Sequence, residues 1–168
     1  MLTADLFDYI QFKFRADGVN NYPKKLNEFL EKISSIKDES QRIEILVDYA
    51  DKFSNPSREI AEPPYPSACK VPFCESGVFV WTIMQENNTP KFYFAIENPQ
   101  GISAKALAVI LDRTLSGQPP EQILNVDPDI VYKIFGQELS MGKNLGLSGM
   151  VLILQNELKS LMEKGLKN

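Results

Sequence analysis

Only two stretches of this chain read as β-strand, and they lie next to each other. Val78-Phe79-Val80-Trp81-Thr82-Ile83-Met84 and Phe92-Tyr93-Phe94-Ala95-Ile96 are rich in β-branched and aromatic residues. Between them, Glu86-Asn87-Asn88-Thr89-Pro90 is turn chemistry. Together they predict a β-hairpin, read as the middle of a small antiparallel sheet. Two strands alone are marginal in water, so helices must cover at least one face. At 168 residues with 43% apolar side chains, the chain is long enough to bury a core and short enough to be one domain. The expected class is therefore α+β, a single domain in which a small antiparallel sheet packs against helices.

The rest of the sequence supplies those helices. Leu26, Phe29, Leu30 and Ile33 recur at helical spacing over Lys24 to Ile36. Asp38 offers an N-cap for a second helix whose apolar side is Ile43, Leu46, Val47 and Ala50. The short connection around Lys37 predicts an antiparallel helical hairpin. Asn55-Pro56 and Ala61-Glu62-Pro63-Pro64-Tyr65-Pro66 then form a stiff, proline-rich connector that leads towards the first strand. After the hairpin, Ser103 is read as the cap of a helix with Leu107, Ile110, Leu111 and Leu115 inside, stopped by Gly117 and Pro119-Pro120. Short helices are expected over Glu121 to Asn125 and, capped by Asp127, over Pro128 to Phe135. A long one runs from about Asn144 to Gly165, with Leu147, Met150, Val151, Leu154, Leu158, Leu161 and Met162 on one side. Residues 1–23 are read as an N-terminal extension ahead of a domain at 24–168; Leu6, Ile10 and Phe14 there suggest a short helix, and no function follows from it.

Composition removes whole classes of activity. Lys plus Arg number 18 against 22 Asp plus Glu, a net charge of −4, and no basic run compensates, so neither nucleic acid nor an anionic membrane is an expected partner. The opening residues show no basic stretch followed by an apolar one, and no segment approaches a membrane span. With two cysteines and no sign of a secretory leader, a reduced, cytoplasmic setting is the expectation. The chain contains no histidine, which removes Ser-His-Asp and Cys-His catalysis and His-Cys zinc sites. No phosphate-binding glycine loop is present. Gly142, Gly146 and Gly149 open a helical pattern without a preceding strand, so they read as flexibility and close helix packing. No cofactor and no metal is expected.

What remains is Cys74, in Lys70-Val71-Pro72-Phe73-Cys74-Glu75-Ser76-Gly77-Val78, placed between a proline turn and the start of the first strand. A loop thiol held by rigid neighbours suits sulfur chemistry, and accepting a sulfur already activated on a partner needs no base of its own. The alternative is a buried, inert cysteine acting as a small hydrophobe. Cys69 takes that inert reading, with a resolving thiol or disulfide partner as its alternative. Trp81 and the strand aromatics read as core. Lys143, at the start of the last helix, reads either as a solvated lysine or as a contact to a partner or to the cysteine loop.

The order of these motifs resembles the SufE family of sulfur acceptors for iron–sulfur cluster assembly, which includes the CsdE type. The family pattern Val-x-Gly-Cys-x-Ser-x-Val-[Trp/Tyr] is similar to Val71-Pro72-Phe73-Cys74-Glu75-Ser76-Gly77-Val78-Phe79. Ser103 to Val109 resembles the family helix after the hairpin. Ser116-Gly117-Gln118-Pro119-Pro120-Glu121-Gln122-Ile123 resembles Ser-Gly-x-Thr-Pro-x-x-Ile, and Leu139-Ser140-Met141-Gly142-Lys143-Asn144-Leu145-Gly146-Leu147 resembles Leu-Ser-Pro-x-Arg-x-x-Gly-Leu. The resemblance spans about Leu26 to Leu161. It implies that Cys74 accepts persulfide sulfur from a pyridoxal-phosphate cysteine desulfurase of the SufS or CsdA kind, stimulates that enzyme, and passes the sulfur to a SufBCD-type scaffold. Such a chain is an accessory to the desulfurase rather than a stand-alone enzyme.

Three positions depart from the family pattern. Phe73 stands where the family has glycine, Lys143 where it has arginine, and Gly77 where it has a larger residue. Phe73 would strain the loop if the position demands a positive φ; alternatively its ring shields the sulfur. Two rival functions stay open at this point. One is a regulatory binding partner of a desulfurase in which Cys74 is dispensable, and the other is a redox-sensing thiol protein that uses Cys69 and Cys74.

Overall fold

The computed structural model describes residues 21–137 and 139–165. The proposed helix at Leu6 to Phe14 lies outside them. Among the described residues two helices come first, α1 (Lys24–Ser35) and α2 (Glu39–Ala50). The hairpin follows as β1 (Val78–Met84) and β2 (Pro90–Ile96). It is succeeded by α3 (Ile102–Leu115), α4 (Pro120–Leu124), α5 (Ile130–Phe135) and α6 (Met141–Gly165).

Local chemistry accounts for most of these boundaries. Asp38 caps α2 as expected, accepting the Gln41 N–H at 2.8 Å. The Arg42 Nη2 donates to the Ile36 carbonyl at 2.8 Å and so ties the two helices at their turn. Ser103 is not the cap of α3. That helix already starts at Ile102, after Gly101, and has no side-chain cap. Asp127 does not sit at the end of α5 either. Its carboxylate accepts the Asp129 N–H at 2.9 Å, and the helix starts one residue later, at Ile130. The last helix begins three residues before the expected Asn144.

Among the described residues the sheet is the hairpin itself rather than the middle of something wider. Val80 pairs with Phe94 and Thr82 with Phe92. The side chains of Val78, Val80, Phe92, Phe94 and Ile96 share one face and enter the core with Leu107, Ile110 and Leu111 of α3 and Met150, Val151 and Leu154 of α6. Each fully buried Leu, Ile or Phe there contributes roughly 1.5–3 kcal/mol. The opposite face is covered by the proline connector. Tyr65 packs its ring 5.2 Å from Phe79 and 5.4 Å from Trp81.

A sheet of two strands has two open edges, and groups from elsewhere in the chain, side chains on β2 and mainly backbone on β1, occupy both. On β2, the Phe92 N–H donates to Ser116 Oγ at 3.0 Å and the Ile96 N–H to Asn55 Oδ1 at 3.0 Å. On β1, Val71 N–H donates to the Val78 carbonyl at 2.8 Å, and Lys70 forms a bridge with Phe79. Further along, Thr82 donates its hydroxyl to Glu157 of α6 at 2.8 Å. These caps are what a lone hairpin requires to avoid pairing with another chain.

Candidate functional site

The loop between Lys70 and Val78 is pinned at both ends. Val71 is 1% exposed and Val78 is fully buried, so the six residues between them are held up from the core. Within the loop the Gly77 N–H donates to the Cys74 carbonyl at 3.2 Å. The Glu97 N–H donates to the Gly77 carbonyl and the Asn98 N–H to the Ser76 carbonyl, both at 3.1 Å, stitching the loop to the chain just after β2. Two left-handed residues make this path turn, Phe73 at φ 58° and Gly77 at φ 61°. Glycine is the natural choice at 77, where a Cβ would also stand 2.8 Å from the Glu97 carboxylate.

Cys74 sits half-buried at the end of this turn. Helix α6 is what it rests on. A Cβ at Gly146 would stand 3.1 Å from Cys74 Cα and 3.3 Å from its Sγ, and one at Gly149 would stand 3.0 Å from a Val71 methyl. Both glycines therefore let the helix backbone approach the cysteine loop more closely than any side chain would allow. The glycine spacing in the sequence predicts close helix packing here, but not that the packing partner is Cys74. The one available signal is the placement of Gly146 within the motif Leu139 to Leu147.

A groove of about 450 Å³ opens beside the thiol. Its walls come from four parts of the chain. They are Ile43 and Val47 of α2, Cys74 to Ser76 of the loop, Asn98 and Gln100 to Ala104 at and before the start of α3, and Gly142, Lys143, Gly146 and Leu147 of α6. Lys143 thereby borders the same groove as Cys74 and is exposed there, which fits either of its two sequence readings. Ile43, assigned to the buried stripe of α2, is instead 52% exposed and faces this opening. Phe73 does not shelter the sulfur. Its ring is 81% exposed and packs on little of the protein, while its backbone takes the strained angle.

Cys69 is not among the residues of the groove. It lies half-buried at the end of a single 3-10 turn, Ser67–Cys69. Burial pushes its thiol up from the ordinary value, and the Glu157 carboxylate pushes it further. Burial likewise raises Glu157, against hydrogen bonds from Thr82 that pull it down. Both thiols are free. Trp81 is half-buried within the aromatic cluster on the connector side and takes no part in the groove. Among the described residues no group of three or more Cys, Asp or Glu side chains gathers as metal ligands would, and no helix is long and apolar enough to cross a membrane.

Fold and site together define a small α+β protein that presents one cysteine on a pinned loop, seated against a glycine-bearing helix. Comparison with known proteins gives this class its family. Residues 27–158 match the SufE model, described as an Fe-S metabolism associated domain, and the chain belongs to that family. It is 35% identical over 69 residues to a cysteine desulfuration protein SufE from Plasmodium vivax, a match covering 41% of this chain and 28% of that protein. It is 26% identical over 148 residues to SufE-like protein 1, chloroplastic/mitochondrial, from Arabidopsis thaliana, covering 88% of this chain and 38% of that one. The chain thus spans well under half the length of these curated relatives. The solution structure of a hypothetical protein from Thermus thermophilus superposes with a TM-score of 0.67 at 26% identity, over 84% of this chain and 98% of that one.

Proposed function

We propose that this chain is a sulfur acceptor that takes persulfide sulfur from a pyridoxal-phosphate cysteine desulfurase onto Cys74, stimulates that enzyme by clearing its sulfur, and delivers the sulfur for iron–sulfur cluster assembly, with a SufBCD-type scaffold as recipient. The observation that carries this reading is the seat of Cys74. It is the thiol that lines the groove, on a loop held at both ends and backed by Gly146. Family membership supports the link to iron–sulfur metabolism.

The chemistry fits a site without histidine. The Cys74 thiolate attacks the outer sulfur of the donor's persulfide. A sulfur–sulfur bond forms on Cys74 as the donor's own sulfur–sulfur bond breaks, and the donor cysteine leaves as a thiolate that takes up the proton Cys74 gave away. No net oxidation occurs and no base in this chain is required. Lys143 places a positive charge on the groove that would hold the persulfide anion.

The test is direct. The protein is incubated with a desulfurase and free cysteine, and its intact mass is measured. The expected result is a gain of one sulfur atom, located at Cys74 and absent in Cys74→Ser. Desulfurase stimulation that survives Cys74→Ser would instead establish the regulatory partner, and loss of two hydrogens across Cys69 and Cys74 the redox protein.

A further inference from the structure

Phe73 occupies a backbone position that its own side chain makes costly. At φ 58° the Cβ of an L-residue crowds the following carbonyl, a conformation that glycine and asparagine adopt far more readily. The ring gains nothing within the fold in return, being 81% exposed. A strained angle that holds an aromatic side chain in solvent, one residue from a reactive atom, is a pattern found where a binding surface has been shaped.

The neighbourhood supports this. Ile43, Ile102, Met141 and Leu145 are exposed by 52%, 47%, 80% and 50%. Ile43 and Ile102 line the groove of Cys74, and Met141 and Leu145 lie on the first turns of α6, beside Lys143 and Gly146. With Phe73 they make five of the seven large apolar side chains exposed among the described residues; two line the groove of Cys74, one is its sequence neighbour and two lie on the first turns of the helix that seats it. Consecutive Cα atoms lie only about 3.8 Å apart, so Phe73 stands within reach of a protein that brings a sulfur to Cys74.

We propose that Phe73 is the residue by which this chain selects its sulfur donor. Its ring enters an apolar recess beside the donor's sulfur, and the exposed apolar rim closes around it. A donor with no such recess meets the ring as an obstruction. This rests on the sulfur-acceptor reading above.

The experiment uses a purified pyridoxal-phosphate cysteine desulfurase of the SufS class, with free cysteine, and the intact chain as wild type, Phe73→Gly, Phe73→Asn and Phe73→Tyr. Glycine and asparagine keep the left-handed turn and remove the ring; tyrosine keeps the ring. Sulfur on Cys74 is followed by mass, and alkylation of Cys74 by iodoacetamide reports the thiol without any docking. The expected result is a KM for the acceptor raised about tenfold in the glycine and asparagine variants, as for loss of an aromatic anchor. The saturating rate and the alkylation rate stay within about twofold, and tyrosine restores KM. If the wild type loads sulfur and the ringless variants load it with the same KM, the anchor is refuted and the acceptor reading stands. If alkylation slows in step with sulfur loading, Phe73 acts by shaping the loop and the anchor is refuted as well. If the wild type takes no sulfur from this desulfurase but the ringless variants do, the ring obstructs a donor without the recess, as proposed; if neither the wild type nor the ringless variants take sulfur, the acceptor reading falls and the anchor with it.

Discussion

Cys69 and Cys74 lie on the same approach to β1, yet their surroundings differ in kind. Cys74 stands at a turn of left-handed backbone, against bare helix at Gly146, and opens on a groove that four separate segments build. Cys69 ends a single 3-10 turn and lies within the field of Glu157, which together with burial favours its neutral thiol. A thiol kept protonated is a poor nucleophile. The contrast lies in what helix α6 offers each of the two nearby cysteines, the bare backbone of Gly146 to one and, added to burial, the Glu157 carboxylate to the other.

The largest effect should come from exchanging the thiols themselves. Cys74→Ser is expected to abolish sulfur uptake in the mass assay, and Cys69→Ser to leave it near the wild-type level; the reverse outcome would overturn the comparison. Next is Gly146→Ala. The added methyl meets Cys74 Cα at 3.1 Å and must push the loop outward, because the helix backbone cannot yield. Iodoacetamide should alkylate Cys74 several-fold faster, at a stability cost of roughly 1–3 kcal/mol for overpacking, as read by thermal melting. Gly142→Ala, with open space around its Cβ position, serves as the control: it should leave alkylation unchanged and, as for glycine replaced in a helix, raise stability by about 0.4–1 kcal/mol rather than lower it.

Phe73→Gly should raise stability by about 1 kcal/mol, the strain removed less the extra freedom gained by the unfolded chain. Denaturant titration would show it as a higher midpoint with unchanged slope, and a lower midpoint would contradict the strain. The smallest effect concerns Glu157. Because its carboxyl is raised in the folded state, stability is full below the ordinary carboxylate range. It is then lost as pH rises through that range towards the raised value, where the unfolded chain ionises first. Glu157→Gln should flatten this part of the stability profile and lower the Cys69 thiol, seen as faster alkylation of Cys69 at alkaline pH.

Much of this is legible in the sequence because it is written locally. The strand runs, the Asp38 cap and the one-sided patterns of Leu26 to Ile33 and Leu147 to Leu158 each lie within a few residues of the structure they specify. What escapes such reading depends on contacts between remote segments. Ser103 has the chemistry of a cap, but Gly101 packs against the Ser76 side chain, 2.9 Å from its Cβ position, and the helix starts there instead. Ile43 belongs to an apolar stripe by spacing, yet its position on α2 falls where the groove opens. The choice between strain and shelter at Phe73 can be posed from the family glycine, but only the dihedral angle and the exposed ring settle it in favour of strain.

Helix α6 also has a consequence for how such a site can vary. Gly146 seats the thiol and Glu157 closes the edge of β1, eleven positions on, which at 3.6 residues per turn is just over three turns and about 16 Å. Both therefore lie along one line of a stiff rod. The rod works as a gauge: it fixes the height of the cysteine relative to the hairpin whatever the loop in between contains. The exposed side chain at position 73 can thus change without altering that height, whereas a single residue inserted into α6 would turn one contact about 100° away from the other and uncouple the two at once.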